Sequence, residues 1–241
     1  MPRPPAKLPL PHLTAAQTLP GRWWLNLCVR RQRWLWHRMT AGARQGKRLF
    51  DIVAGALLLI LSAPLFLLIT LLIKLEGGGP VFFKQIRVGQ FGREFKMYKF
   101  RSMGLDAEAR LQGLLKKNHH REGVTFKIKN DPRLTRTGKW LRKFSLDELP
   151  QLFNVLKGDM SLVGPRPPLP REVALYSLAD RRRLAARPGI TCLWQIGGRS
   201  EIDFSGQVKL DVRYIETQSF TTDITILAKT VPAVLGGKGA C

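Results

Sequence analysis

Hydrophobic and polar positions fall along this chain in two regimes. Through residues 52–73 every position is apolar or small and none is charged. As a helix rising roughly 1.5 Å per residue, such a run is long enough for a hydrocarbon layer of roughly 30 Å. Pro64 stands near its middle, where a missing N–H and a ring clash kink a helix. Ser62, two residues earlier, is placed to serve the freed carbonyls. Beyond Gly77-Gly78-Gly79-Pro80 the segments are short. Residues 81–83 and 95–100 read as strands on either side of a turn at 89–92. Helical spacing predicts helices over 105–117, with Leu111, Leu114 and Leu115 on one face, and over 134–143, 146–156, 172–186 and 220–235. Gly158 is a stop for the third of these, the last is amphipathic, and Gly164-Pro165-Arg166-Pro167-Pro168 cannot be helix interior. The fold expected is α+β and mostly helical, with few strands.

Charge decides how the apolar run is read. Forty Lys and Arg against 17 Asp and Glu leave a formal charge of +23, which suits nucleic acid, an anionic bilayer face or phosphorylated substrates. Lys47 and Arg48 precede the run; Lys74, Lys84 and Arg87 follow it. Positive charge marks the cytoplasmic side, so a single crossing would put one basic flank on the wrong side. A proline-kinked, re-entrant helix that dips into the bilayer and returns is favoured over a spanning one.

The leader is different again. Residues 1–20 are proline-rich without a signal-like apolar core and read as disordered. In residues 22–38, Trp23, Trp24, Trp34 and Trp36 interleave with arginines, which suits a bilayer interface; a partly helical linker is the plainer reading. Cys28, Cys192 and Cys241 are widely spaced with no CxxC, and read as free thiols in a reducing compartment. The organisation expected is a leader over 1–44, partly disordered or interfacial, a re-entrant membrane helix over 45–76 and a cytosolic domain over 77–241.

Within that domain, Ser145-Leu146-Asp147-Glu148 is an acidic island. Ser145 with Glu148 three residues on has the form of a capping box. It would put Asp147 in a first helical turn, where the dipole favours the ionised carboxylate and free N–H groups suit phosphate. Glu148 as a mere cap and Asp147 as a mere dipole partner are the plainer readings. The surrounding cations change the balance. Arg142 lies a turn earlier, Arg166 sits in a proline-stiffened loop, and Lys99 and Arg101 project from a strand end. Two carboxylates among such cations suit phosphoryl chemistry with a divalent metal.

Several segments together are recognisable. They are Lys47-Arg48-Leu49-Phe50-Asp51, Gln85-Ile86-Arg87-Val88-Gly89, Tyr98-Lys99-Phe100-Arg101-Ser102-Met103, the stretch from Ser145-Leu146-Asp147-Glu148-Leu149-Pro150-Gln151-Leu152 to Gly158-Asp159-Met160-Ser161, Gly164-Pro165-Arg166-Pro167, Arg187-Pro188-Gly189-Ile190-Thr191, Trp194-Gln195 and Gly198-Arg199. In this order, over roughly 45–240, the chain resembles the bacterial sugar transferase family, the monotopic phosphoglycosyl transferases that begin glycan assembly on polyprenol phosphate. The resemblance implies that Asp147 attacks the β-phosphate of a UDP-sugar, releasing UMP, and that polyprenol (undecaprenyl) phosphate then takes the phosphosugar from the carboxylate. It implies Mg²⁺ held by Asp147 and Glu148, and substrate phosphates held by Lys99, Arg101, Arg142, Arg166, Arg187, Gln195 and Arg199. It also implies a helix kinked at Ser62 and Pro64, seated on the cytoplasmic face of the bacterial inner membrane, with membrane lipid as partner, no nucleic acid and a possible homodimer. Two positions depart from the family: Ala63 stands where Ser often precedes the proline, and Cys192 stands where glycine is common, in a loop expected near the donor.

Two other readings stay open. A basic, membrane-associated scaffold binding nucleic acid or anionic lipid would account for the charge. A transferase passing the sugar alone would release UDP instead of UMP.

Overall fold

The computed structural model describes residues 42, 44–107, 109–110, 131–198 and 202–236. The Trp- and Arg-rich leader, Leu111, Leu114, Leu115 and Arg199 lie outside them. The chain divides into two compact units, residues 1–49 and 50–241.

The apolar run forms two helices, α1 (Arg44–Leu61) and α2 (Ala63–Gly77), bent by 57° at Ser62. The sequence explains the break. Pro64 enters α2 as one of its first residues, where its missing N–H costs nothing. The Ser62 hydroxyl turns back to the carbonyls of Leu58 and Leu59, at 2.7 and 3.2 Å, and so serves backbone acceptors at the bend. Gly78, in the left-handed region, closes α2. Among the described residues no single helix is long and apolar enough to cross a membrane, whereas the bent pair together has the length and composition. Ile60, Leu61, Leu67 and Leu75 on this pair are each about 70% exposed (70, 68, 73 and 75%). A contiguous apolar surface of that kind marks a membrane or partner face.

Strands β1 (Phe82–Val88) and β2 (Glu94–Phe100) pair antiparallel with Phe82 opposite Phe100 and Val88 opposite Glu94, as expected, although β1 runs to Val88. Next come α3 (Arg136–Lys143), N-capped by the Thr135 side chain, and α4 (Gln151–Lys157), which Gly158 ends at a φ of 98°. Strands β3 (Ser161–Val163) and β4 (Gly189–Thr191) pair parallel. Between them the one α-helix is the short α5 (Pro170–Val173). Beyond β4 are α6 (Leu193–Gly197), α7 (Phe204–Glu216) and α8 (Phe220–Gly236). Among the described residues the fold is α+β and mostly helical with two small sheets.

Two expected helices take other forms, and the first of them, 146–156, begins as a 3-10 turn with α4 starting only at Gln151. Residues 172–186 are not one helix: after α5 the chain turns, then forms a 3-10 segment, Asp180–Ala185. Ser177 and Asp180 explain the interruption, because the Asp180 carboxylate accepts from both the N–H and the hydroxyl of Ser177, competing with helical bonding. Arg183 ends the basic run Arg181-Arg182-Arg183. It is buried, bonded to Asp211 at 2.5 Å and Tyr176 at 3.0 Å, and lies over the rings of Tyr176 and Phe204.

The second unit has a core of Met97, Leu152, Val155, Met160, Leu162, Val163, Tyr214 and Ile226, which α1 joins through Phe50, Ala54 and Leu59. Asp51, 1% exposed, accepts from the Ser161 hydroxyl at 3.0 Å and the Leu162 N–H at 3.1 Å. This buried carboxylate fastens the start of the hairpin to β3. On the other limb, Phe66 of α2 packs on Phe100 at the end of β2, with ring centroids 4.9 Å apart. Glu76 accepts from the N–H groups of Arg136 and Thr137, tying the exit of α2 to α3. From Phe50 onward the bent helix pair is thus an integral part of the unit that carries the acidic pair.

Candidate active site

The acidic pair is presented by a tight turn. Leu146–Glu148 is one turn of 3-10 helix, and Ser145 before it has φ 53° and makes no side-chain cap. The expected capping box and α-helical first turn are absent, for two reasons. Pro150 delays the α-helix to Gln151. The Glu148 carboxylate, needed for the reciprocal cap, is taken by Lys99 at 2.7 Å and Arg166 at 3.2 Å. The expected backbone cradle is not formed there either: the N–H groups of Glu148 and Leu149 close the turn on the carbonyls of Ser145 and Leu146.

Lys99 leans between the two carboxylates. Its Nζ is 2.7 Å from Glu148 Oε1 and 3.6 Å from Asp147 Oδ2, and all three side chains are largely buried. The two acids respond in opposite directions. Burial, reinforced by the neighbouring Glu148 charge, raises the Asp147 carboxyl despite Lys99. Burial would raise Glu148 also, but the charges and hydrogen bonds of Lys99 and Arg166 outweigh it and hold that carboxyl at about 2. Pairs of acids driven apart in this way are a feature of reactive centres. The helix dipole anticipated for Asp147 plays no part, because no α-helix begins there.

Each cation has its own support. Lys99 lies on β2, whose edge is gripped by Asn154. This side chain accepts from the Tyr98 N–H at 3.0 Å and donates to the Lys96 carbonyl at 2.8 Å. Arg142, near the end of α3, donates from Nε to Ser102 Oγ at 3.1 Å; burial lowers its pKa while Asp147 pulls the other way. Arg101 follows β2, and its Nη1 is buried with no hydrogen-bond partner, a donor available to a ligand. Arg166 sits in the 164–168 loop, which another arginine fixes. Arg87 donates to the Pro167 carbonyl at 2.9 Å and to Gln85, and the Val88 N–H donates to the Pro168 carbonyl at 2.9 Å. Burial, with Arg166 as a like-charged neighbour, lowers Arg87 to about 10. Behind the loop, Gly164 and Gly189 touch backbone to backbone, and a Cβ on Gly189 would lie 2.0 Å from Gly164 N.

These groups share one cavity of about 1130 Å³. Asp147, Glu148, Lys99, Arg101, Arg142 and Arg166 line its polar part; Leu58, Leu61 and Leu65 of the hairpin, with Ser62, line an apolar part. Gln195 also lines it and accepts from Cys192 Sγ at 3.1 Å. Cys192 itself is not a lining residue, although Thr191, Trp194 and Gln195 beside it are. It is 1% exposed, and burial raises its thiol well above the ordinary range. Arg187 is half-buried and is not among the lining residues; its carbonyl packs against Gly164 instead. Arg87, Arg171, Ser102 and the Asp131–Arg133 ion pair line the cavity too and were not singled out from sequence. Arg87 stood within a recognised motif, whereas Asp131 and Arg133 carried no signal of their own.

Asp147 and Glu148 suit a divalent cation in one way only. Among the described residues no third His, Cys, Asp or Glu joins them. A site of this kind is completed by substrate phosphates and water, which is how Mg²⁺ is commonly bound.

Known proteins are similar to this chain in sequence. Over 195 residues the chain is 49% identical to galactosyl transferase CpsE of Streptococcus agalactiae serotype III (strain NEM316), covering 80% of this chain and 43% of that protein. Over 197 residues it is 43% identical to exopolysaccharide production protein ExoY of Rhizobium meliloti (strain 1021), covering 80% and 87%. It is 44% identical over 197 residues to the undecaprenyl-phosphate galactose phosphotransferase of Salmonella typhimurium, covering 80% and 41%. The chain therefore spans less than half of two of these relatives and most of the third. The bacterial sugar transferase family matches residues 42–237 without interruption. That stretch holds the bent hairpin, both carboxylates and every cation around them, and the chain belongs to this family.

Proposed function

We propose that this protein is a phosphoglycosyl transferase that moves a sugar phosphate from a UDP-sugar to polyprenol phosphate, the first step in building a bacterial polysaccharide or glycoconjugate. One observation carries the reading: a buried carboxylate paired with a lysine lines a single cavity whose other lining side chains include both cations and apolar residues of the bent helix pair. A water-soluble diphosphate and a lipid phosphate have only their phosphate in common, and such a cavity suits both in turn. The names of the relatives agree, one being an undecaprenyl-phosphate galactose phosphotransferase.

In the first step an Asp147 oxygen attacks the β-phosphorus. The bond from that phosphorus to the bridging oxygen breaks, UMP leaves with that oxygen, and a sugar phosphate remains on the carboxylate as an acyl phosphate. In the second step an oxygen of the lipid phosphate attacks the same phosphorus. The aspartyl oxygen leaves, regenerating the carboxylate and giving polyprenol-diphosphate sugar. Dividing one transfer into two is covalent catalysis. Lys99 favours the ionised, attacking form of Asp147. Arg142, Arg166 and the unpartnered Nη1 of Arg101 hold phosphate oxygens and steady the charge that develops on them. Mg²⁺ held by Asp147 and Glu148 would add neutralisation of the diphosphate. The hairpin would enter the membrane from the cytoplasmic face and return to it, with Ser62 and Pro64 at its apex.

The rival scaffold reading leaves the buried acid pair without a role, since burying carboxylates costs stability. The test is capture of the intermediate. Detergent-solubilised protein given a UDP-sugar labelled in the β-phosphate should carry label on the peptide containing Asp147, and Asp147→Asn should carry none. Label on another residue, or undiminished turnover by the variant, would remove Asp147 as nucleophile.

A further inference from the structure

We propose that the C-terminal half of α8 forms one wall of the acceptor site, against which the first isoprene units of the polyprenyl chain lie. The proposal rests on the function given above and adds the binding surface for the lipid part of the substrate.

Helix α8 has two neighbouring stripes. One is an anchor. Asp223 accepts from Tyr214 Oη at 2.8 Å, Ile226 is 1% exposed, and the Thr230 hydroxyl meets that of Thr191 at 2.8 Å. This stripe holds the helix to the core and to β4. The next stripe, Leu227, Val231 and Val234, follows the helical period and lines the cavity that contains Asp147. Leu58, Leu61 and Leu65 of the hairpin line the same cavity. Phe220 meets Phe50 edge to face at 5.2 Å, which sets the start of α8 beside α1. Two apolar walls thus lead to the cationic floor.

These walls have an unusual state for helix faces that border a functional cavity. Val231 remains 59% exposed, Leu61 68% and Leu235 70%. A nucleoside diphosphate sugar offers them nothing apolar to bury. The acceptor does: it carries a phosphate at one end, which the floor takes by charge, and hydrocarbon immediately beyond. That continuity commits the groove to the acceptor chain rather than to the acyl tails of bulk phospholipid, whose headgroups do not need to reach Asp147.

The test compares two acceptors, a long polyprenyl phosphate and methyl phosphate, a short acceptor with no isoprene unit, by kcat/KM with the protein in detergent. Burying a valine side chain is worth about 1.5–3 kcal/mol, and each 1.4 kcal/mol is tenfold. The double variant Val231→Ser/Val234→Ser should therefore lower the long-to-short preference by at least about tenfold. An unchanged preference would overturn the proposal. A second measurement needs no variant. A long polyprenyl phosphate with a photoreactive group on its first isoprene unit should label the wild-type peptide spanning residues 227–235. Labelling confined to the hairpin would overturn the proposal equally. If the wild-type protein turned over neither acceptor, the transferase reading itself would fail, an outcome distinct from both.

Discussion

Replacing Lys99 with Met isolates the electrostatics of the acid pair while keeping the length and most of the apolar stem of the side chain. The Lys99 ammonium is 3.6 Å from Asp147 Oδ2 and 2.7 Å from Glu148 Oε1. Glu148 retains Arg166 at 3.2 Å after the change, but Asp147 loses the nearest cation. At 3.6 Å and an effective dielectric near 20 the lost attraction is about 4–5 kcal/mol. Relaxation and water entry reduce that to about 2–4 kcal/mol, equivalent to roughly 30- to 1,000-fold in rate. The pH dependence follows in sign. Asp147 attacks as the anion, and burial already raises its carboxyl, so activity is lost as pH falls through the folded-state value. Removing Lys99 raises that carboxyl further and moves the acid limb to higher pH. The assay is kcat/KM for the donor, at saturating lipid acceptor, from pH 5 to 9. Lys99→Met should show the lower plateau and the displaced limb, and Lys99→Arg should restore the position of the limb. A variant with reduced activity and an unmoved acid limb would refute the argument.

Other parts of the site make separate predictions. Asn154→Ala removes the acceptor for Tyr98 N–H and the donor to Lys96 O in a residue that is 0% exposed; urea unfolding should show a loss of about 2–4 kcal/mol, and a loss below about 1 kcal/mol would contradict the clamp. Glu148 is held at about 2 against an ordinary 4.5, so its contribution to stability is complete above pH 4.5 and lost as pH falls toward 2. The difference in unfolding free energy between wild type and Glu148→Gln should therefore shrink as pH falls from 4.5 toward 2; the variant also relieves Asp147 of the Glu148 charge that helps raise it, a change that falls at higher pH than this window. Asp51→Ala leaves the Leu162 N–H and the Ser161 hydroxyl without their buried acceptor, and should lower the unfolding free energy by about 2–3 kcal/mol.

Much of this was legible in the residues because the cause was local. Pro64 and Ser62 mark the bend of the hairpin, Gly158 ends α4, and aromatic segments around a glycine turn give β1 and β2. Asp147, Glu148, Lys99, Arg142 and Arg166 were identifiable together, and the structure brings all five to one cavity. Errors arose where a distant partner overrode local spacing. Ser145 and Glu148 have capping-box spacing, yet Glu148 is claimed by Lys99 and Arg166 from two other segments. Arg183 stands in a basic run, but Asp211, Tyr176 and Phe204 draw it inside. Cys192 lies in a loop-like sequence, yet it is buried at the start of α6 and is not among the residues that line the cavity. Arg87 illustrates the converse: its role in fixing the Arg166 loop depends on the Pro167 carbonyl, which no local pattern announces.

The central claim, that a phosphosugar is transferred through Asp147, is tested most directly by the nucleotide released. Detergent-solubilised protein should be given Mg²⁺, polyprenol phosphate and each of a panel of UDP-sugars, with the nucleotide product separated and identified. The account predicts UMP in amounts equal to the polyprenol-diphosphate sugar formed, with one donor preferred, and no sustained release from Asp147→Asn. Stoichiometric release of UDP would mean that the sugar moves without its phosphate, and would contradict the account.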